Sequence, residues 1–164
     1  MQIQNASPQH FDRILEIYAH HVMHAYATFD ERPPTMDERL PWFEQFSAEG
    51  LHQLLVAVDG EQVLGYAASL AYRSHPAFAR TVEFSVYLAP ECAGRGVGTA
   101  LYRDLIERVR AAGALTVVTG VALPNPASLA LHARCGFREV GIFDEYAEKH
   151  CRRISSQWFQ LSLG

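Results

Sequence analysis

Residues Thr81–Leu88 (TVEFSVYL) alternate between two faces, then run through PECAGRGVG into a helical stripe. A period of two belongs to a strand buried on one side: Val82, Phe84, Val86 and Leu88 face one way, Thr81, Glu83, Ser85 and Tyr87 the other. Leu101, Leu105 and Val109 recur every four residues, as on an amphipathic helix, and Gly113 is placed to end it. Between strand and helix stand Gly94, Gly96 and Gly98. Consecutive small residues let backbone N–H groups converge on an anion, and the helix beginning near Gly98 adds its positive end. The chain is thereby committed to a strand–loop–helix unit suited to phosphate.

The spacing excludes two common phosphate loops. A P-loop needs G-x-x-x-x-G-K-[ST], which follows neither Gly94 nor Gly96, and no lysine is nearby. A dinucleotide fingerprint starting at Gly94 needs glycine where Thr99 stands, and it belongs in the first βα unit of a chain, not past its middle. Taken by itself, the loop also reads as an ordinary glycine-rich turn.

The remaining pattern predicts a mixed sheet with flanking helices. Ser7-Pro8 opens a helix carrying Phe11, Ile14, Leu15, Tyr18 and Val22. Thr35–Glu38 matches a capping box for a second helix with Leu40, Phe43 and Phe46 on one side, which Pro41 should kink or delay. Gln53–Val58 and Gln62–Leu70 read as strands of a hairpin turning at Asp59-Gly60. Leu115–Leu123 is a further strand, Asn125–Arg134 a short helix, and the final strands lie around Phe137–Val140 and Gln157–Leu163.

The chain has 164 residues, 49% of them hydrophobic, enough for one domain (1–164) with a real core. A formal charge of −4 without a basic patch argues against nucleic acid as a partner. The N-terminus has no signal-peptide pattern and no apolar run reaches membrane-span length, so a soluble cytoplasmic protein is expected. Cys92, Cys135 and Cys151 lack metal or redox spacing. His20 and His24 are one helical turn apart, but no third ligand presents itself and no metal is expected.

Two segments together resemble a known family. VYLAPECAGRGVGTALYRDLIE is similar to the acyl-CoA pyrophosphate loop of the GCN5-related N-acetyltransferase (GNAT) superfamily, and NPASLALHARCGF resembles its second signature downstream. AYATFD, YRSHPAFARTVEFSVYL and KHCRRISSQWFQLSL narrow the likeness to the phosphinothricin and methionine sulfone acetyltransferase branch. The resemblance implies a GNAT fold: a central mixed, mostly antiparallel sheet flanked by helices, with the acyl-CoA loop between the fourth strand and its following helix. It implies acetyl-CoA as cosubstrate, a small amino-acid-like amine as acceptor, and a homodimer. There are three departures: Ala93 at the Q/R position of the superfamily loop, Ala79 where the branch often has arginine, and Cys151-Arg152-Arg153 in place of a glycine–arginine–tryptophan stretch.

The residues carry the chemistry as follows. An amine attacks a thioester only when neutral, so a base must take its proton. Glu83 lies on the polar face of its strand; read alone it is equally a solvated glutamate, and the resemblance assigns it the base. For cofactor binding, the resemblance implies the backbone of Val86, Tyr87 and Leu88 in a splayed or bulged strand, the loop Gly94, Arg95, Gly96, Val97, Gly98 and Thr99, and Asn125 and Ser128. Asn125 is as readily a helix cap. His132 stands where the superfamily often has tyrosine, implying a general acid or a contact near the cofactor sulfur; alone, it reads as a structural histidine. Arg73 suits an acceptor carboxylate, and Phe29, Phe78 and Glu83 complete the implied acceptor pocket.

The alternatives are a peptide or protein N-terminal acetyltransferase, a non-catalytic acyl-CoA-binding module, and a nucleotide-phosphate enzyme. Motif spacing speaks against the last. Cys92 and Cys135 have no paired base in the sequence, which argues against a covalent enzyme intermediate.

Overall fold

Seven strands form one sheet in the order β1-β2-β3-β4-β5-β7-β6 in the computed structural model, which describes residues 1–164. In chain order the elements are β1 (Gln2–Asn5), α1 (Phe11–His24), α2 (Met36–Glu44), β2 (Leu54–Asp59), β3 (Gln62–Ala71), β4 (Thr81–Leu88), α3 (Val97–Ala111), β5 (Thr116–Ala122), α4 (Pro126–Arg134), β6 (Arg138–Lys149) and β7 (Arg152–Ser162). Every neighbouring pair is antiparallel except β4–β5. No helix is long and apolar enough to cross a membrane.

Alternation along β4 sorts the helices between the two faces. Phe84 packs on Tyr102 of α3, whereas Tyr87 meets Tyr18 of α1 edge to face. Residues of opposite parity point to opposite faces, so α1 and α3 cover the two sides of the sheet. β2 and β3 are buried along nearly their whole length between these layers. Such burial suits their continuous apolar composition.

Several local expectations change. β1 pairs with β2 and was not foreseen; four residues without clear alternation leave no legible period. Ser7-Pro8 opens a 3₁₀ turn before α1, with the Ser7 N–H donating to His10 Nδ1, and Ile17 takes the buried position expected of Leu15. The Thr35 box does start α2: its hydroxyl accepts from the Glu38 N–H, and the Glu38 carboxylate accepts from the Thr35 N–H. Pro41 neither delays nor ends the helix, because only one N–H is forfeited near the end of a short element. Leu40 is exposed, and Trp42 packs beside Phe43 and Phe46 instead. The β2–β3 turn is centred one residue later than expected, on Gly60-Glu61, with Asp59 paired to Gln62. Gly113 closes α3 in a Schellman arrangement: its N–H reaches the Arg110 carbonyl and that of Ala114 reaches Val109. β6 and β7 are far longer than their apolar cores suggested, because register shifts in β6 break its alternation.

The pairing of β4 with β5 is short. Thr81, Val82 and Glu83 pair with Thr116, Val117 and Val118, and no further residues pair. β5 meanwhile follows β7 to Ala122, so the sheet opens into a cleft between β4 and β5.

On the other side of β4, Gly65 faces Leu88. A β-carbon there would lie 2.6 Å from a Leu88 methyl and 2.9 Å from the Tyr87 carbonyl oxygen. Gly65→Ala should therefore displace β4 at the cleft and cost about 1–3 kcal/mol of stability, read by thermal or urea unfolding.

Candidate active site

The cleft exposes backbone that a regular sheet would have consumed. The Ala89 N–H bonds to Leu64 of β3, so the odd-numbered groups of β4 face β3. By alternation, the N–H groups of Phe84, Val86 and Leu88 face the gap left by β5. The Leu88 carbonyl, on the same side, accepts from His21 Nε2 at 2.8 Å. This bond sets the His21 tautomer, and burial lowers the pKa of the ring, keeping it neutral.

Two adjoining cavities occupy the cleft. The larger, about 600 Å³, runs from the glycine loop along the end of β4 to the start of α4. Val86, Tyr87, Leu88, Gly94, Gly96, Gly98, Thr99, Asn125 and Ser128 all line it. Gly94 and Gly96 take left-handed φ of 74° and 80°, with open space where side chains would project. The first internal bond of α3 runs from the Ala100 N–H to the Gly96 carbonyl, so the N–H groups of Val97, Gly98 and Thr99 have no partner within the helix. Gly98 serves another purpose: a β-carbon there would come 3.2 Å from Leu131 of α4. The Arg95 and Val97 side chains do not line the cavity. Val97 is buried in the core, and Arg95 lies exposed with its N–H donating to the Cys92 carbonyl.

The smaller cavity, about 250 Å³, lies beside it and shares Ala27, Val86, Tyr87, Asn125 and Ser128. Glu83, Phe29 and His132 all line it. Burial raises the Glu83 carboxyl above its ordinary pKa, and no basic side chain lies close enough to counter it. This environment suits a base working near neutral pH.

His132 is almost wholly enclosed. Its Nδ1 lies 2.7 Å from the Ser128 carbonyl, which can only accept, so Nδ1 carries the proton. Nε2 is then the acceptor for the Tyr102 hydroxyl at 3.2 Å. The ring stacks on Phe159, with centroids 5.1 Å apart, and burial depresses its pKa. His132 is thus a neutral imidazole with both nitrogens engaged. Asn125 caps α4 through the Ser128 N–H while also lining both cavities.

Arg73 and Phe78 are not brought to this cavity. Arg73 is exposed, with its guanidinium 5.1 Å from the Tyr72 ring centroid and 5.7 Å from that of Phe78, on the segment beyond β3. Residues not singled out from the sequence line the cavity instead: Ser85, Tyr102, Thr119 and Gly120. Ser85 shares the Glu83 face of β4 and could have been found by alternation. Tyr102 lies on a helix stripe and reads as core. Arg134 is a further unforeseen neighbour, at the larger cavity. His20 and His24 stack at 4.7 Å, and nowhere do three or more metal-ligating side chains gather.

A solved acetyltransferase shares this fold. The chain belongs to the acetyltransferase (GNAT) family, whose model matches residues 15–137. It is 38% identical to a phosphinothricin N-acetyltransferase of Streptomyces coelicolor, over 99% of this chain and 96% of that one. It is 35% identical to an L-methionine sulfoximine/L-methionine sulfone acetyltransferase of Pseudomonas aeruginosa, over 98% and 94% of the two chains. The crystal structure of a GNAT-superfamily phosphinothricin acetyltransferase from Sinorhizobium meliloti, in complex with acetyl-CoA, superposes with a TM-score of 0.93. That match has 33% identity and covers 99% of this chain and 88% of the other.

The electrostatics of Glu83 carry a stability consequence with a definite sign. A carboxyl whose folded pKa is raised favours folding while protonated and opposes it once ionised. Glu83→Gln should therefore raise Tm at pH 7–8, and the gap from wild type should close as pH falls through the raised folded pKa toward the ordinary carboxylate value. Thermal unfolding across pH measures this.

Proposed function

We propose that this acetyltransferase moves the acetyl group of acetyl-CoA onto the amine of a small amino-acid-like acceptor of the phosphinothricin, methionine sulfone or sulfoximine type. The transfer is a direct attack within a ternary complex. The observation that carries this reading is the placement of Glu83, half-buried and unpaired, in a small cavity adjoining a larger one that reaches the glycine loop. The names of the relatives and the acetyl-CoA complex of the Sinorhizobium enzyme support the choice of donor and acceptor.

The residues present fit such a donor. The open concavity at Gly94 and Gly96 and the unpartnered N–H groups of Val97, Gly98 and Thr99 would receive the pyrophosphate. Arg134 adds a cation at the rim. The free edge of Val86 and Leu88, with Tyr87 as wall and Asn125 and Ser128 opposite, would hold the pantetheine arm. The bound thioester supplies the electrophilic carbon.

Glu83 takes the proton of the acceptor ammonium, directly or through water, and frees the lone pair for attack. The Val86 and Leu88 N–H groups donate to the carbonyl oxygen as charge gathers on it. The carbon–sulfur bond then breaks, and the departing thiolate takes up the second proton given up by nitrogen, so that amide and thiol form together. His132 works through Tyr102: it accepts that hydroxyl's hydrogen bond and fixes it at the edge of the cavity. Phe29 closes the acceptor side. Arg73, held against Tyr72 and Phe78, is the cation that an acceptor carboxylate would meet on entry.

We assign the whole chain to a single catalytic domain and read it as cytoplasmic, where its three free cysteines stay reduced. We also place a homodimer contact on β6, the last strand of the sheet, where Val140, Ile142, Phe143 and Tyr146 leave an apolar strip exposed. Ile142→Glu should shift the mass in sedimentation toward the monomer.

The decisive assay follows thiol release from acetyl-CoA with methionine sulfone, methionine sulfoximine, phosphinothricin, free amino acids and short peptides. Release is expected with the first group. Turnover confined to peptides, or CoA binding without turnover for any amine, overturns the reading. Glu83→Gln should lower kcat by about 10²–10⁴-fold while acetyl-CoA still binds by calorimetry. The wild-type rate should rise with pH through a pKa above that of an ordinary glutamate.

A further inference from the structure

Of the fourteen lysine and arginine residues in this chain, Lys149 is the sole lysine. It ends β6 with 1% of its surface exposed, and no carboxylate forms an ion pair with it. Its ammonium donates instead to three main-chain carbonyls: Val22 at 2.9 Å, Ala25 at 3.0 Å and Thr28 at 3.0 Å. Three donors meet three acceptors, a match that the planar fork of arginine cannot reproduce at one point. Val22 lies in the last turn of α1, where carbonyls lack helical partners and a cation is favoured. Ala25 and Thr28 belong to the loop that follows.

That loop borders both cavities. Ala25, Tyr26 and Ala27 line the larger, and Ala27, Thr28 and Phe29 the smaller. Further bonds tie it down on either side of the lysine. The Tyr18 hydroxyl lies 2.7 Å from the Thr28 hydroxyl and donates to the Asp30 carboxylate, also at 2.7 Å. The His150 N–H donates to Glu31 at 2.7 Å. A buried, unpaired cation is costly where packing alone is needed. Here it joins the β6–β7 turn to the loop over Glu83.

We propose that Lys149 is a positioning residue for the acceptor: by gathering the Val22, Ala25 and Thr28 carbonyls on one ammonium, it holds residues 25–29 as the wall of the Glu83 cavity. The proposal rests on the reading of that cavity as the acceptor site. Without the ammonium, three carbonyls are left unpaired in a buried setting, and the loop must open to hydrate them. Phe29 and Thr28 would then leave the cavity. The donor site depends less on this loop, because the glycine loop and the edge of β4 bind through their own main chain.

A single lysine makes the test clean. With [15N]lysine, one side-chain signal reports Lys149: its ammonium protons should exchange slowly, and the signal should move on saturation with methionine sulfone. Lys149→Met should raise the KM for methionine sulfone at least about tenfold, roughly 1.4 kcal/mol, with the KM for acetyl-CoA within about threefold. Lys149→Arg should not rescue it. A folded Lys149→Met with an unchanged acceptor KM, equal losses for both substrates, or full activity in Lys149→Arg overturns the proposal. If Lys149→Met does not fold, the wild-type signal decides: an ammonium that exchanges freely, or a signal that ignores the acceptor, overturns it. Failure of the wild-type enzyme to acetylate any acceptor overturns the acetyl-transfer reading as well, whereas free exchange of the ammonium counts against the clamp alone.

Discussion

The parting of β4 from β5 after Glu83 and Val118 is the constraint on which the site depends. A sheet normally satisfies every main-chain donor and acceptor by pairing, and a buried group left unpaired costs free energy. Here the free edge of β4 borders the cavities, and the Leu88 carbonyl is taken by His21. The arrangement holds because each strand keeps its other neighbour. β4 stays zipped to β3 as far as the Gly65–Leu88 pair, and β5 to β7 as far as Ala122. The cleft lies between two supported walls and is not a fraying end.

The same parting explains the electrostatics. Glu83 is the last residue of β4 paired with β5, where the strand still lies in the sheet but its side chain already faces the cavity. It is buried enough for its pKa to rise and is not neutralised by a cation. Three other ionisable groups beside the cleft are held neutral. His132 and His21 are depressed by burial and engaged by carbonyls, and Tyr102 is raised by the same burial. The one carboxylate of the small cavity is therefore its main charge. A stable fold tolerates this because loss of favourable solvation at one functional group is small beside a continuous core.

Much of this is legible in the amino-acid sequence. The period of two through Thr81–Leu88 places Glu83 on the polar face, and the glycine spacing excludes the other phosphate loops. Helix caps at Thr35 and Gly113 follow from rules local to a few residues. Misreadings fall where longer-range packing decides. Leu40 and Trp42 trade roles because the side of α2 that meets the core depends on how the helix docks. β6 escapes detection because bulges interrupt its alternation. Arg73 and Phe78 stand on the segment leading into β4, close to Glu83 in sequence, but pack against Tyr72 and do not line the cavity.

The order of residues suffices for the strand–loop–helix unit, for its glycine spacing, and for the place of Glu83 on the polar face of its strand. Those properties live in short stretches, where backbone freedom and side-chain period are local. Tertiary structure alone decided that β4 and β5 separate, and that His132 is a closed, neutral ring behind Tyr102. It also decided that Lys149, near the end of the chain, clamps the end of α1 from more than a hundred residues away. Each depends on three-dimensional neighbours that no sequence window contains: a strand's second partner, a carbonyl that sets a tautomer, and three converging oxygens.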